Sequence, residues 1–150
     1  MILKIKLTEP ALPEIDVLPQ KATSGSAGYD LVANISNECL IRPGEIKLIP
    51  SGICAEVENS RFAIFIYARS GLASKHGIAL ANGVGVIDSD YRGEIKCPMI
   101  NLSSEEYTIT PGMRIAQMVI LGVEDPVIEV CDMLGVTTRS DGGFGSSGVI

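Results

Sequence analysis

ICAEVENSRFAIFIYA (residues 53–68) reads as two consecutive β-strands, and its two patterns set the fold class for the whole chain. Ile53, Ala55 and Val57 alternate with Cys54, Glu56 and Glu58, the period of two that turns one face to a core and the other to water. Asn59-Ser60 marks a turn. Residues 62–68 are then apolar on both faces, which places that strand between two layers.

The same alternation recurs outward. In residues 2–7, Leu3, Ile5 and Leu7 oppose Lys4 and Lys6. Further strands are expected at 38–42, 45–49, 78–81, 84–88, 94–101, 106–110, 114–121 and 127–131, punctuated by Pro43-Gly44, Asn82-Gly83 and Pro111-Gly112. Short strands with such punctuation point to a sandwich or jelly roll. Asn82-Gly83 between apolar runs is the signature of a type I′ hairpin. Pro98 should mark an edge or a bulge. One stretch alone looks helical: Ser70 suits an N-cap, residues 72–76 a turn or so of helix, and Gly77 the C′ position.

Composition narrows the class. The chain has 150 residues, 46% hydrophobic and 20% charged, which suits one compact domain. A net charge of −6 opposes a general nucleic-acid binder, which needs a basic stripe. A small anionic substrate would need few, local cations, with Arg69, Arg114 and Arg139 as candidates. No apolar run is long enough to span a membrane, and residues 1–10 lack the apolar core of a signal peptide, so a cytoplasmic location is expected. Cys39, Cys54, Cys97 and Cys131 show no metal-ligand spacing and His76 is the only histidine; buried thiols in a reducing compartment are expected.

Several segments carry residues suited to chemistry. In ARSGLASKHG (68–77), a basic residue beside serine and glycine at a helix mouth makes an anion site, although serine there also serves as a simple cap. In IDSDYRG (87–93), Asp88 and Asp90 are two apart and would share a strand face; a carboxylate there can orient and deprotonate a water, or the run is an ordinary polar turn. Asp30 suits either an outer-shell magnesium contact or a turn cap. In GMRIAQM (112–118), alternation puts Arg114, Ala116 and Met118 on one face and Gln117 on the other. Gln117 needs a partner, internal or ligand, and Arg114 suits a structural ion pair. The last sixteen residues, GVTTRSDGGFGSSGVI, suit a frayed terminus or a flap that orders over a ligand.

Taken together, AGYDL (27–31), RSGLA (69–73), GVIDSDYRGE (85–94), GMRIAQM (112–118) and GGFGSSG (142–148) resemble, in order and spacing, the five motifs of the trimeric dUTPase family. The resemblance implies a distorted jelly-roll subunit, with a β-barrel or jelly-roll core over 1–134 and a flexible Gly-rich C-terminal arm over 135–150. It implies a homotrimer with shared active sites, Mg²⁺ as cofactor, and hydrolysis of dUTP to dUMP and pyrophosphate, which lowers dUTP and supplies the precursor of dTMP. By resemblance, Asp88 is the water-activating carboxylate and Tyr91 the ring that packs on deoxyribose. Asn82 with the backbone at Val86 and Ile87 reads uracil, and Lys96 passes near the base. Arg69, Ser70 and Gly71 contact phosphate, Gln117 lies near the α-phosphate, and Asp30 supports the waters of the metal. Arg139 and Phe144 belong to the arm that clamps the γ-phosphate and covers uracil, with Gly145, Ser146 and Ser147 as further donors. Ala68, Ser140 and Ser147 depart from the commoner proline, glycine and threonine of the family. A dCTP deaminase-like enzyme of the same subunit fold, and a non-catalytic nucleotide-binding regulatory trimer, are the alternatives. The DSDYRG motif and the Phe-containing arm argue against both.

Overall fold

The alternation at 53–58 becomes a buried face: Ile53, Ala55 and Val57 are each no more than 6% exposed, while Cys54, Glu56 and Glu58 face outward. The computed structural model describes residues 1–8 and 14–143. Its elements are β1 (Lys4–Leu7), β2 (Tyr29–Val32), β3 (Cys39–Ile41), β4 (Ile46–Pro50), β5 (Ile53–Glu56) and β6 (Phe62–Ala68), then α1 (Ser70–His76), β7 (Ile78–Leu80), β8 (Val84–Ile87), β9 (Lys96–Asn101), β10 (Tyr107–Ile109) and β11 (Arg114–Gly122).

The strands form four antiparallel sheets, in the orders β2-β11-β6-β8, β4-β9-β7, β1-β5 and β10-β3. None closes on itself, so the core is a jelly roll and not a closed barrel, the other expectation. One apolar cluster draws side chains from all four sheets, including Leu31, Ile41, Ile53, Ile64, Ile78, Met99, Ile109 and Met118. Each fully buried side chain of this size contributes about 1.5–3 kcal/mol. β6 is an interior strand of its sheet, between β11 and β8, and residues on both of its faces, Ala63 on one and Ile64 and Ile66 on the other, are buried.

Several expectations fail for physical reasons. The two strands flanking Asn82-Gly83 do not form a hairpin: β7 pairs with β9, and β8 pairs with β6. The turn carries the chain from one sheet to another, with Gly83 N–H donating to Leu80 O; among its residues only Gly83 has positive φ, whereas type I′ needs two such residues. Pro98 sits in the central strand β9 without a bulge. An antiparallel residue directs its N–H and C=O to the same neighbour. Pro98 O accepts from Ala81, just past the end of β7, so the missing donor falls where no strand bond is lost. Ser70 is the first helical residue, not the cap; Arg69 occupies the cap position and makes no side-chain cap bond. Gly77 ends the helix at φ 65°, and an added Cβ would also lie 2.8 Å from the Ser103 nitrogen. The expected strand at 127–131 is absent, its residues being exposed and unpaired, and β2 is a strand that alternation did not indicate.

Of the four thiols, only Cys97 is buried, which pushes its pKa up to about 12; Cys39 and Cys54 are half-buried and Cys131 is exposed. A buried amide closes the β9 end. Asn101 donates to Ile41 O and Glu105 O and accepts from the Ser103 N–H and hydroxyl. Asn101→Ala orphans several of these groups at once, and a loss of about 2–4 kcal/mol is expected in equilibrium urea unfolding. A loss below about 0.5 kcal/mol would mean the network is dispensable.

Candidate functional site

Asp30, Arg69 and Arg114 are brought together because β2 and β11 pair beside the end of β6. Arg69 Nε lies 3.0 Å from Asp30 Oδ1, and Arg114 Nη1 lies 3.2 Å from Oδ2. Arg69 Nη1 also donates to Arg114 O. The structural ion pair expected of Arg114 is present, but Arg114 does not share a face with Ala116 and Met118. The register of β11 slips between Arg114 and Ala116, so Arg114 is exposed while Ile115, Ala116 and Met118 are all buried.

Beside this triad is an open cleft of about 330 Å³ lined by Ser26, Gly28, Asp30, Arg69, Ser70 and Gln117, with Gly71 at its edge. Gln117 finds an internal partner, its Nε2 donating to Ala68 O, and its Oε1 lies over Gly28, where an added Cβ would come within 2.8 Å of it. The Arg69 guanidinium, Ser70 and the start of α1, whose first N–H groups lack intrahelical partners, border an anion-sized space, while Arg114 holds Asp30 from the other side of the triad, outside the cleft lining. Sequence reasoning did not single out Gly28 or Ser26 as site residues; they lie in the Gly/Ser-rich run that leads into β2 and reads as loop.

A second group lies elsewhere. β8 is an edge strand whose one strand partner among the described residues is β6; Val84 N–H donates back to Asn82 O, and Val86 is 57% exposed. Asn82 precedes it in the exposed turn. Asp88 does not share a strand face with Asp90: β8 ends at Ile87, and the chain turns, Tyr91 N–H donating to Asp88 O. Asp88 is exposed and makes no ion pair among the described residues. Tyr91 donates its hydroxyl proton to Glu94 O at 3.0 Å. Arg92, which sequence reasoning passed over, ties the loop down: Nη1 donates to Ser89 O and Tyr91 O, and Nε lies 3.5 Å from Glu56. Lys4 on β1, with lesser help from Arg92, holds the Glu56 carboxyl below its usual range. Lys96 opens β9, in a different sheet from β8, and pairs with Glu94 at 3.6 Å.

Register fixes the distance between the two groups. Ile87 pairs with Ile64 and Val84 with Tyr67, so Asp88 lies beside the first residues of β6 and Arg69 just beyond its last. Six residues of strand separate these ends, about 20 Å at 3.3 Å per residue. A single chain therefore does not assemble the expected site. In the arm, Arg139 is exposed, its Nε donating to Gly142 O, and Ser140 sits at φ 47°. Phe144, Gly145, Ser146 and Ser147 lie outside the described residues. No group of three or more His, Cys, Asp or Glu side chains is placed to hold a metal among the described residues.

The dUTPase family model matches residues 16–148. The deoxyuridine 5'-triphosphate nucleotidohydrolase of Desulfitobacterium hafniense (strain DSM 10664 / DCB-2) is 50% identical over 147 residues, 98% of this chain and 97% of the relative. That of Rickettsia felis (strain ATCC VR-1525 / URRWXCal2) is 52% identical over 132 residues, 88% of each. Among solved structures, the Staphylococcus bacteriophage 80alpha dUTPase with dUPNHPP aligns over 99% of both chains with a TM-score of 0.85 at 24% identity, a likeness of fold.

Proposed function

The chain belongs to the dUTPase family and hydrolyses dUTP to dUMP and pyrophosphate, and we propose that it does so as a homotrimer in which no subunit completes an active site alone. The observation that carries this reading is the separation of the two residue groups along β6. The Asp30, Arg69, Ser70 and Gln117 cleft is a phosphate site, the Asp88–Tyr91 loop is a base and sugar site, and they meet only across a subunit boundary. A second feature supports association. Every residue from 124 to 141 is exposed, and the run includes Val127, Ile128, Val130, Met133, Leu134 and Val136 at 86% exposure or more, far more apolar surface than an isolated soluble chain presents.

In this reading Asp88 accepts the proton of a water that attacks the α-phosphorus in line. The bond from that phosphorus to the bridging oxygen breaks, and pyrophosphate leaves. Arg69, the Ser70 hydroxyl and backbone N–H groups at Gly71 stabilise the charge on the leaving oxygens, and Arg139 of an arm adds to them. The edge strand β8, at Val86 and Ile87, reads the edge of uracil, with Asn82 at its entrance and Lys96 nearby. Tyr91 lies against the sugar and leaves no room for a 2′-hydroxyl. Phe144 covers the base, with Gly145, Ser146 and Ser147 as donors.

The donor set at the cleft fits Mg²⁺. It holds one carboxylate, Asp30, and the Gln117 oxygen, too few for a protein cage and suited to an ion that keeps its waters and takes phosphate oxygens as ligands. Asp30 would hold such waters with the acceptor sites that its two arginines leave free. The ion, when bound, neutralises charge on the triphosphate. No helix of the described residues is long and apolar enough to cross a membrane, and a cytoplasmic place of action fits this.

Subunit mixing tests the shared site. Asp88→Asn and Arg69→Ala homotrimers should each be inactive, and subunits exchanged at equal ratio should regain roughly a quarter of wild-type sites by random assortment. Absence of recovery in verified mixed trimers would rule out a site divided between chains. Pyrophosphate release from dUTP, dTTP, dCTP and UTP, measured side by side, should be confined to dUTP; ammonia release from dCTP would instead favour a deaminase.

A further inference from the structure

We propose that Gly93 is a positioning residue for sugar selectivity, present because a side chain there would displace the Tyr91 ring. The inference rests on the reading of Tyr91 as the sugar-facing ring. Gly93 is not among the glycines at positive φ, so its backbone conformation is open to any residue. What excludes a side chain is the ring itself. An added Cβ would lie 2.5 Å from Tyr91 Cζ and 3.0 Å from Cε2, with the hydroxyl oxygen closer still. Contacts this short cannot be absorbed by small adjustments, and the free end of the ring is what must move.

The ring is otherwise well held. Its hydroxyl donates to Glu94 O. The backbone at 94–95 is fixed from the core side, since Glu94 Oε1 accepts from Gly52 N–H, Ile95 N–H donates to Ile53 O, and the buried Ser51 donates both its N–H and its hydroxyl proton to Ile95 O. Tyr91 is therefore folded over Gly93 and tethered to a rigid strand entry, although the residue is 44% exposed. Glycine supplies the space and Glu94 O the tether. A methyl at 93 removes the space while leaving the fold's buried contacts untouched.

The readout is the ratio of kcat/KM for dUTP over UTP in the full-length Mg²⁺-loaded enzyme, with thermal melting and oligomeric state as controls. Gly93→Ala should lower the ratio by about tenfold or more, and Tyr91→Ala should lower it at least as far. The double variant should be no worse than Tyr91→Ala alone, because Gly93 acts through the ring. Tyr91→Phe, which keeps the ring and cuts the tether, should lower the ratio a few-fold, and it keeps the idea testable if Gly93→Ala fails to fold. If Tyr91→Ala lowers the ratio but Gly93→Ala leaves it intact, or if the two losses multiply, the role of Gly93 is overturned while that of Tyr91 stands. An unchanged ratio in Tyr91→Ala would overturn the reading of the ring, and the role of Gly93 with it.

Discussion

Asp88→Asn is expected to lower kcat for dUTP by roughly three orders of magnitude while KM stays within a few-fold, because general-base catalysis contributes about 10²–10⁴-fold. The substitution keeps the size and planarity of the side chain. An amide can still orient a water but cannot take its proton. The surroundings make the experiment clean: Asp88 is exposed, lies just past the end of β8, and makes no ion pair among the described residues, so its charge holds nothing else in place. Melting temperature and the mass of the proposed trimer should therefore match wild type. Single-turnover pyrophosphate release with substrate in excess of KM separates the chemical step from binding. Near-normal turnover would refute Asp88 as the base and direct attention to Asp90, two residues on in the same turn.

How far the sequence foretold this arrangement depends on what each signal encodes. Period two at 53–58 specified which side chains are buried, and the two-faced run at 62–68 specified a strand with buried residues on both faces; both are local properties of the residues concerned. Partnership is not local. Asn82-Gly83 announces a turn but not whether the strands on either side pair, and here they join different sheets. Pro98 announces a missing donor, whose cost depends on which neighbour it faces. β2 was hidden because its Gly/Ser-rich approach and mid-strand carboxylate look like loop, yet it is the strand that brings Asp30 against Arg69. The run at 127–131 is apolar enough for a strand, but alternation states only that side chains seek burial, not against what. Within one chain they find nothing, which is what a segment completed by another subunit would show. The site was legible for the same reason in reverse: motif residues were recognisable one by one, while their division between two ends of β6 appears only once register is known.

Removing residues 138–150 should cut kcat/KM for dUTP by about 10²–10³-fold, the scale expected when a cationic donor to transition-state charge is withdrawn, and leave the proposed trimer intact. The segment begins just before Arg139, whose Nε is occupied locally by Gly142 O in a turn closed by Ser140 N–H to Thr137 O. None of the described residues from 138 to 143 belongs to the apolar core, and β11 has ended at Gly122, so among the described residues truncation takes away no core packing. It also spares Val127 to Val136, the apolar stretch that the proposed trimer assigns to a neighbouring subunit. Ser140 adds a smaller, separable effect. It holds φ at 47°, a conformation costing a non-glycine residue about 1–2 kcal/mol, so Ser140→Gly should ease the turn without touching the arginine. Sedimentation velocity reports the trimer and pyrophosphate release the rate. A truncated trimer working at full rate would exclude the arm from catalysis. Dissociation to monomers would instead show that the last thirteen residues, not the apolar stretch before them, hold the subunits together.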